Sequence, residues 1–350
     1  MSDSWSGKSE PPERPKRYDQ FFLYHHLEKD GYGYAGIKLR KEFARLGAGI
    51  EPVDMLVDGR HSRRGEYKWT ASGPALALCV PDWWPDITAE PLIGFTMFES
   101  TRLPSGRIAD MQGAERILVP CPWCVETFRE EGVQQPIDVV PWGIDPDDYF
   151  PLDRDDTRGP YTFLWSGTPD YRKGWDLAYR AFSAAFGERD DAHLILHFRE
   201  LPQLGLQCND EKVTIVEGRF SLPRLRAMLR DADCFVFPSR GEGWGMPPRE
   251  AAATGLPAIA TDWSGLSYEI EHWALPLRIT GMAAATFGPW PPGAVGQWAT
   301  PDLEHLVHLM RWCYDHRDLA AKIGQDAAQW LATNTTWART AQGIMEALEC

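Results

Sequence analysis

Short apolar runs alternate along this chain with longer amphipathic stretches, and turn-forming residues separate the two. An apolar run bounded by Gly, Pro, Asn or Asp reads as a strand buried on both faces, whereas an apolar repeat of three to four residues marks a helix with one buried stripe. In the first half, strands are predicted at Phe21–Leu27, Val53–Val57, Ala75–Val80, Leu92–Met97, Arg116–Val119 and Asp138–Val140. The second half offers Phe163–Ser166, Leu194–Phe198, Val213–Val216, Cys234–Phe237 and Ala258–Thr261. A loop at Glu28–Ala35 is expected to follow the first strand, then an amphipathic helix from about Gly36 to Leu46, with further helices at Asp302–His316 and Asp318–Ala332. Such alternation implies parallel sheets covered by helices on both faces. The expected class is therefore α/β, with two Rossmann-like, doubly wound domains whose ligands bind in a cleft beyond the carboxyl ends of the strands.

A stretch dense in Asp, Pro and Gly between Trp142 and Gly159 separates the halves. The expected organisation is a flexible tail at 1–18, a first domain at 19–145, a linker at 146–160, a second domain at 161–332 and a tail at 333–350. At 350 residues the chain is long enough for two domains that each bury a core.

Residues 239–256, Ser-Arg-Gly-Glu-Gly-Trp-Gly-Met-Pro-Pro-Arg-Glu-Ala-Ala-Ala-Thr-Gly-Leu, carry the densest chemistry. Glycines at 241, 243 and 245 let the backbone turn sharply and approach a ligand, since they bring no Cβ. Pro247 and Pro248 suit a first helical turn, and no Ser, Thr, Asp or Asn stands just before them to cap it. The amides of Gly243, Trp244, Gly245 and Met246, with those of Arg249 and Glu250, are then available to an anion such as a diphosphate. Glu250 in that turn could accept hydrogen bonds from a ribose diol, and Glu242 lies before it, nearer the cleft. On the residues alone, Glu250 as a helix N-terminal acid and Glu242 as a solvated loop residue remain an alternative. Gly31, Gly33 and Gly36 follow the first strand, where a bare backbone could also approach a phosphate, although their spacing is not that of a dinucleotide fingerprint.

The segment EGWGMPPREAAATGLPAIAT resembles the donor-site motif of the family 4 retaining glycosyltransferases, which have the GT-B fold. Two further segments, VPCPWCVETFREEGVQQPIDVVPWGIDPDDYFP (119–151) and FLWSGTPDYRKGWDLAYRAF (163–182), look like that family's linker region and the opening of its nucleotide-binding domain. The resemblance implies a nucleotide-diphospho-sugar donor carrying UDP or GDP, retention of configuration and no catalytic metal or resident cofactor. It assigns Glu242 to the donor sugar, Glu250 to the ribose, Lys173 to the β-phosphate, and Gly31 and Gly33 to the glycine loop of the first domain. It also implies that the tail crosses back to the first domain. Two departures stand out: Thr168 occupies the place of the family's arginine, which Arg172 could replace, and Glu99 occupies that of a histidine that contacts donor sugar. Glu99 could accept the same hydroxyls or take the acceptor's proton; a structural role is its alternative.

Composition narrows the picture. A net charge of −14 argues against general polyanion binding. Seven scattered cysteines and the lack of a signal-like or membrane-length apolar run point to a reduced, cytoplasmic protein. One basic, aromatic patch, Arg60, His61, Arg63, Arg64, Tyr67, Lys68 and Trp69, runs against the global sign. It motivates one alternative function, glycosylation of hydroxymethylated bases in DNA; the altered arginine and histidine motivate another, a non-catalytic nucleotide-sugar-binding protein. The leading expectation is transfer to a carbohydrate-type hydroxyl. Cys121-Pro-Trp-Cys124 lacks a second pair for zinc, Asp145-Pro-Asp147 sits in the linker, and His193 and His197 fall on a strand, so none is expected to carry chemistry.

Overall fold

The computed structural model describes residues 20–25, 31–57, 60–61, 65, 68–154, 159–188, 190–199, 210–288 and 290–349. The first sheet is built from β1 (Gln20–His25), β2 (Gly49–Asp54), β3 (Ala75–Leu78), β4 (Leu92–Phe95), β5 (Arg116–Val119) and β6 (Ile137–Val139). Its order is β6-β5-β4-β3-β1-β2, and every pairing is parallel. The second sheet uses β7 (Tyr161–Gly167), β8 (Ala192–Phe198), β9 (Val213–Glu217), β10 (Cys234–Phe237), β11 (Ala258–Thr261) and β12 (Leu275–Leu277). Its order is β9-β8-β7-β10-β11-β12, again all parallel. Central strands such as β3, β4, β10 and β11 are buried at every residue, which is why they read as unbroken apolar runs.

Three expectations change. Helix α1 (Gly31–Arg45) starts five residues before the predicted Gly36, so residues 31–35 of the expected loop are helical; residues 26–30 lie outside the described set. Packing overrides the weak helix propensity of these glycines. A Cβ on Gly36 would stand 2.4 Å from Nδ1 of His25 in β1, so glycine there lets helix and strand approach. The strand predicted at Val53–Val57 is instead β2, ending at Asp54, while Leu56–Val57 pairs antiparallel with Arg60–His61. Finally, β12 and the antiparallel hairpin β13 (Ile279–Ala284) and β14 (Gln297–Pro301) were not expected; β12 contains Pro276 and β13 is largely exposed, so neither shows a buried-strand pattern.

Helices α2 (Pro122–Glu130), α3 (Trp175–Ala185), α4 (Leu222–Arg230) and α5 (Met246–Ala253) follow α1; after α6 (Leu303–Asp315) and α7 (Arg317–Asn334), the chain forms α8 (Trp337–Glu349), which packs on α1. Trp337, Ala341, Ile344 and Leu348 of α8 are buried in the core of the first sheet. The crossing is fixed where Ile144 N–H donates to Thr335 O at 2.9 Å and Thr340 Oγ1 donates to Pro141 O at 2.7 Å. Gly143 sits against this crossing so closely that a Cβ would lie 2.0 Å from the backbone nitrogen of Trp337. Gly143→Ala is expected to lower the unfolding free energy by about 1–3 kcal/mol, the usual cost of overpacking, in urea denaturation. Gly113→Ala, where an added Cβ meets nothing within 4 Å, is the control and is expected to leave the midpoint almost unchanged.

Candidate active site

Each sheet reverses its winding at its first strand: β1 lies between β2 and β3, and β7 between β8 and β10. Crevices open at the carboxyl ends of strands at such switch points. The chain leaving β10 forms the loop Ser239–Gly245 and then α5 (Met246–Ala253), while α1 begins at Gly31 just beyond β1. The two meet, since a Cβ built on Gly31 would lie 3.7 Å from Cε of Met246.

The loop is shaped by close contacts from both halves. A Cβ on Gly241 would stand 2.2 Å from the Glu99 carbonyl, and one on Gly243 would stand 2.5 Å from Cγ of Met97. Gly245, at φ 85° and ψ 67°, is left-handed, where side-chain-bearing residues are strained. From Arg240 to Gly245 the backbone carbonyls of the loop are all taken from within. Ala299 N–H donates to Arg240 O (2.9 Å), Arg172 Nη1 to Gly241 O (2.5 Å) and Gly265 N–H to Glu242 O (2.9 Å). The thiols of Cys121 (3.4 Å) and Cys124 (3.7 Å) donate to Gly243 O, and Arg249 Nη1 donates to Trp244 O and Gly245 O. By contrast, the amides of Gly243, Trp244, Gly245 and Met246 donate to no acceptor among the described residues. No side chain caps α5. A run of free amides at a helix start, with inward carbonyls satisfied, has the geometry and polarity that suit an anion.

Beside it lies a compact charge cluster. Lys173 Nζ is 2.8 Å from both Glu242 carboxylate oxygens, Arg172 Nη1 is 3.1 Å from Oε1, and Ser239 Oγ donates to Oε1 at 2.8 Å. Ser264 Oγ accepts the Glu242 amide at 3.0 Å. Burial alone would raise the Glu242 pKa, but Lys173 and Arg172 outweigh it and hold the carboxyl below its ordinary value. Lys173 is pushed down by burial and by its neighbour Arg172. Glu99, arriving from beyond β4, has a carboxylate oxygen 3.9 Å from Arg172 Nη2, and its pKa is raised by burial and by the like charge of Glu242. The structure thus brings Glu99, Arg172, Lys173 and Glu242 together from positions far apart in sequence. Thr168 is exposed, and Arg172 supplies a second cation to the Glu242 carboxylate.

Glu250 occupies a separate corner. It is half-buried, hydrogen-bonded to Tyr149, and its pKa is raised to about 7, chiefly by burial, with Arg199 opposing. Gly33 is buried inside α1. Sequence reasoning did not pick out Tyr149, Ser239, Ser264 or the side chain of Arg249: Tyr149 and Ser264 meet partners remote in sequence, and Ser239 and Arg249 act on a loop whose conformation spacing does not show. The linker carboxylates are engaged by α1: Lys38 Nζ is 2.9 Å from Asp145, and Lys41 Nζ 2.8 Å from Asp147. His193 bonds Thr214 Oγ1, and His197 bridges Ser166 Oγ and Gly218 O. Of the basic patch, Arg63, Arg64 and Tyr67 lie outside the described residues, and Lys68 pairs with Asp86 at 2.5 Å.

Residues 160–285 match the family model for Glycosyl transferases group 1. The matched stretch lies in the second domain, and the two parallel sheets together give the GT-B fold of the solved structures the chain resembles. The chain as a whole superposes on the sucrose-phosphate synthase of Thermosynechococcus elongatus with a TM-score of 0.67 at 16% identity, covering 94% of this chain and 98% of that one. HepE of Anabaena, solved with UDP and glucose, gives 0.65 at 13% identity over 94% and 99%. Among curated proteins, a D-inositol 3-phosphate glycosyltransferase of Pseudarthrobacter chlorophenolicus is 28% identical over 226 residues, 60% of this chain and 49% of that protein. One from Nocardia farcinica is 29% identical over 230 residues, 60% and 46% respectively. The chain thus spans about half the length of these relatives. Among its described residues, no helix is long and apolar enough to cross a membrane.

The raised pKa of Glu250 has a definite sign. The folded state binds its proton more tightly than the unfolded state, so the resulting stability is present below about pH 4.5 and is lost as pH rises through about 7. Thermal unfolding at stepped pH is expected to show the wild type losing stability relative to Glu250→Gln over that window. Parallel profiles for the two proteins would contradict the buried setting of Glu250.

Proposed function

We propose that this protein is a retaining glycosyltransferase that moves a sugar from a UDP- or GDP-sugar to an acceptor hydroxyl of carbohydrate type. The observation that carries the reading is the free amide run of Gly243–Met246 beside Lys173 and Arg172. Together they offer one diphosphate both amide donors and cationic side chains. HepE, a structural neighbour, was solved with UDP and glucose, which supports a donor of this class.

In this reading the diphosphate lies over the amides, with Lys173 and Arg172 at its β-phosphate. The bond from the anomeric carbon to the β-phosphate oxygen breaks, and the charge gathering on that oxygen is met by the two cations and the amides. The acceptor oxygen attacks on the same face, its proton passing to the departing diphosphate, so configuration is retained. Glu242, kept ionised by its cations, orients the donor sugar and stabilises positive charge developing on the ring. Glu250 accepts from the ribose diol, and Gly31 and Gly33 lie at the start of α1, the first-domain side of the site. Glu99 is placed as the first domain's carboxylate toward the sugar or acceptor hydroxyls. Amides and side-chain cations do the work of charge neutralisation, so no divalent metal is required for this step.

The test is a screen of UDP- and GDP-sugars for nucleotide release and transfer, read by mass spectrometry with EDTA present. Turnover of at least one donor is expected, with Lys173→Ala about 10²-fold slower, the scale of removing one preorganised donor to developing charge. Glu250→Ala is expected mainly to weaken nucleotide binding and Glu242→Ala mainly to lower kcat. Wild-type kinetics in all three variants, or activity abolished by EDTA, would contradict the reading.

A further inference from the structure

Arg249 stands in the first turn of α5 with its side chain 1% exposed. Its Nη1 donates to Trp244 O and Gly245 O, and its Nη2 to Gly265 O at 2.9 Å and Tyr268 O at 3.3 Å. The guanidinium lies between two indole rings, 3.9 Å from the Trp244 centroid and 4.3 Å from that of Trp273. Every contact it makes is to a neutral group; among the described residues it forms no ion pair. Burial pushes its pKa down to about 9, with Cys121, Glu269, Tyr268 and Glu242 acting against that from farther off.

A buried cation without a carboxylate is costly, and an apolar side chain of similar volume would fill the same space more cheaply. Carbonyl dipoles and aromatic faces offset part of that cost but leave the unit charge uncancelled. That charge sits directly beneath the loop whose amides are free, and it holds inward the two carbonyls, of Trp244 and Gly245, that would otherwise repel an anion there. We propose that Arg249 is the buried counter-charge of the diphosphate: a positioning residue that aims the amides of Gly243–Met246 and whose unpaired charge is balanced when the anion binds. The inference rests on the nucleotide-sugar reading of the cleft. It adds a third cation, unexposed and behind the backbone, to Lys173 and Arg172, and it accounts for a site that works with Thr168 in place of an arginine. At an effective dielectric of about 20, one unit charge roughly 8–10 Å from another is worth about one to one and a half powers of ten in affinity.

The experiment is calorimetric titration of the full chain with UDP and UMP, and with GDP and GMP, for wild type, Arg249→Gln and Arg249→Lys, each first shown by thermal melting to be folded. Gln keeps a donor for the loop carbonyls and removes the charge; Lys keeps the charge and loses the fork. The expected result is that the diphosphate-over-monophosphate preference falls about tenfold or more in Arg249→Gln and is largely kept in Arg249→Lys. An unchanged preference in Arg249→Gln, or an equal collapse in both variants, would overturn the counter-charge role. If Arg249→Gln does not fold, Arg249→Lys still decides: a folded lysine variant without the preference overturns the proposal, and one that keeps it supports it. A wild type that binds none of the four nucleotides would instead overturn the donor reading, and this inference with it.

Discussion

The constraint on which the site depends is the polarity of one loop. From Arg240 to Gly245 each carbonyl has a donor inside the protein, while the amides from Gly243 to Met246 have no acceptor among the described residues. A buried carbonyl without a partner costs about 1–3 kcal/mol, so this arrangement holds only because donors come from several directions. Gly265 and Arg249 supply them from the second domain, and Cys121 and Cys124, at the start of the helix Pro122–Glu130, from the first. The two buried thiols, 3.6 Å apart, thus serve as hydrogen-bond donors across the two halves. Glycine at 241 and 243 follows from the same packing, because Glu99 and Met97 press against the loop from the other half.

Charge is the second layer of the arrangement. Glu242 is buried, yet it stays ionised because Lys173 and Arg172 are in contact with it and Ser239 and Ser264 satisfy its remaining polar groups. Glu250, with no cation in contact among the described residues, has its pKa raised to about 7, chiefly by burial. Two carboxylates eight positions apart on one loop and helix are therefore set for different tasks by their surroundings, one as a fixed negative charge and the other as a group whose ionisation a ligand can change. The alternating strands and helices deliver these groups to the same place because both sheets turn at their first strand, and α8 returns to α1 to tie the halves together.

Much of this was legible in the sequence because it is local. Arg116–Val119, Cys234–Phe237 and Ala258–Thr261 match their expected bounds, since strands buried on both faces leave an unbroken apolar run between turn residues. The parallel two-sheet class follows from the same alternation, and the motif at 239–256 pointed to the loop. What could not be read was whatever depends on tertiary contact. The glycines of residues 31–36 suggested a loop, but the chain is helical from Gly31, and only the fold shows Gly36 packed against His25. The hairpin at 279–301 has neither period, since its first strand faces outward. Arg249 in a helical first turn looks like a solvated residue; only the fold reveals two tryptophans closing over it. The Tyr149–Glu250 contact spans a linker and a domain, and no spacing announces it.

The central claim, that the loop is built in advance to present its amides to a diphosphate, is tested most directly by amide hydrogen exchange resolved at residues 243–246 with and without UDP or GDP. The account predicts that Gly243, Trp244, Gly245 and Met246 exchange far faster than the hydrogen-bonded amides of the adjoining strand Cys234–Phe237 in the free protein, and that nucleoside diphosphate protects them selectively. Amides already protected in the free protein, or left unprotected at saturating nucleotide, would contradict it.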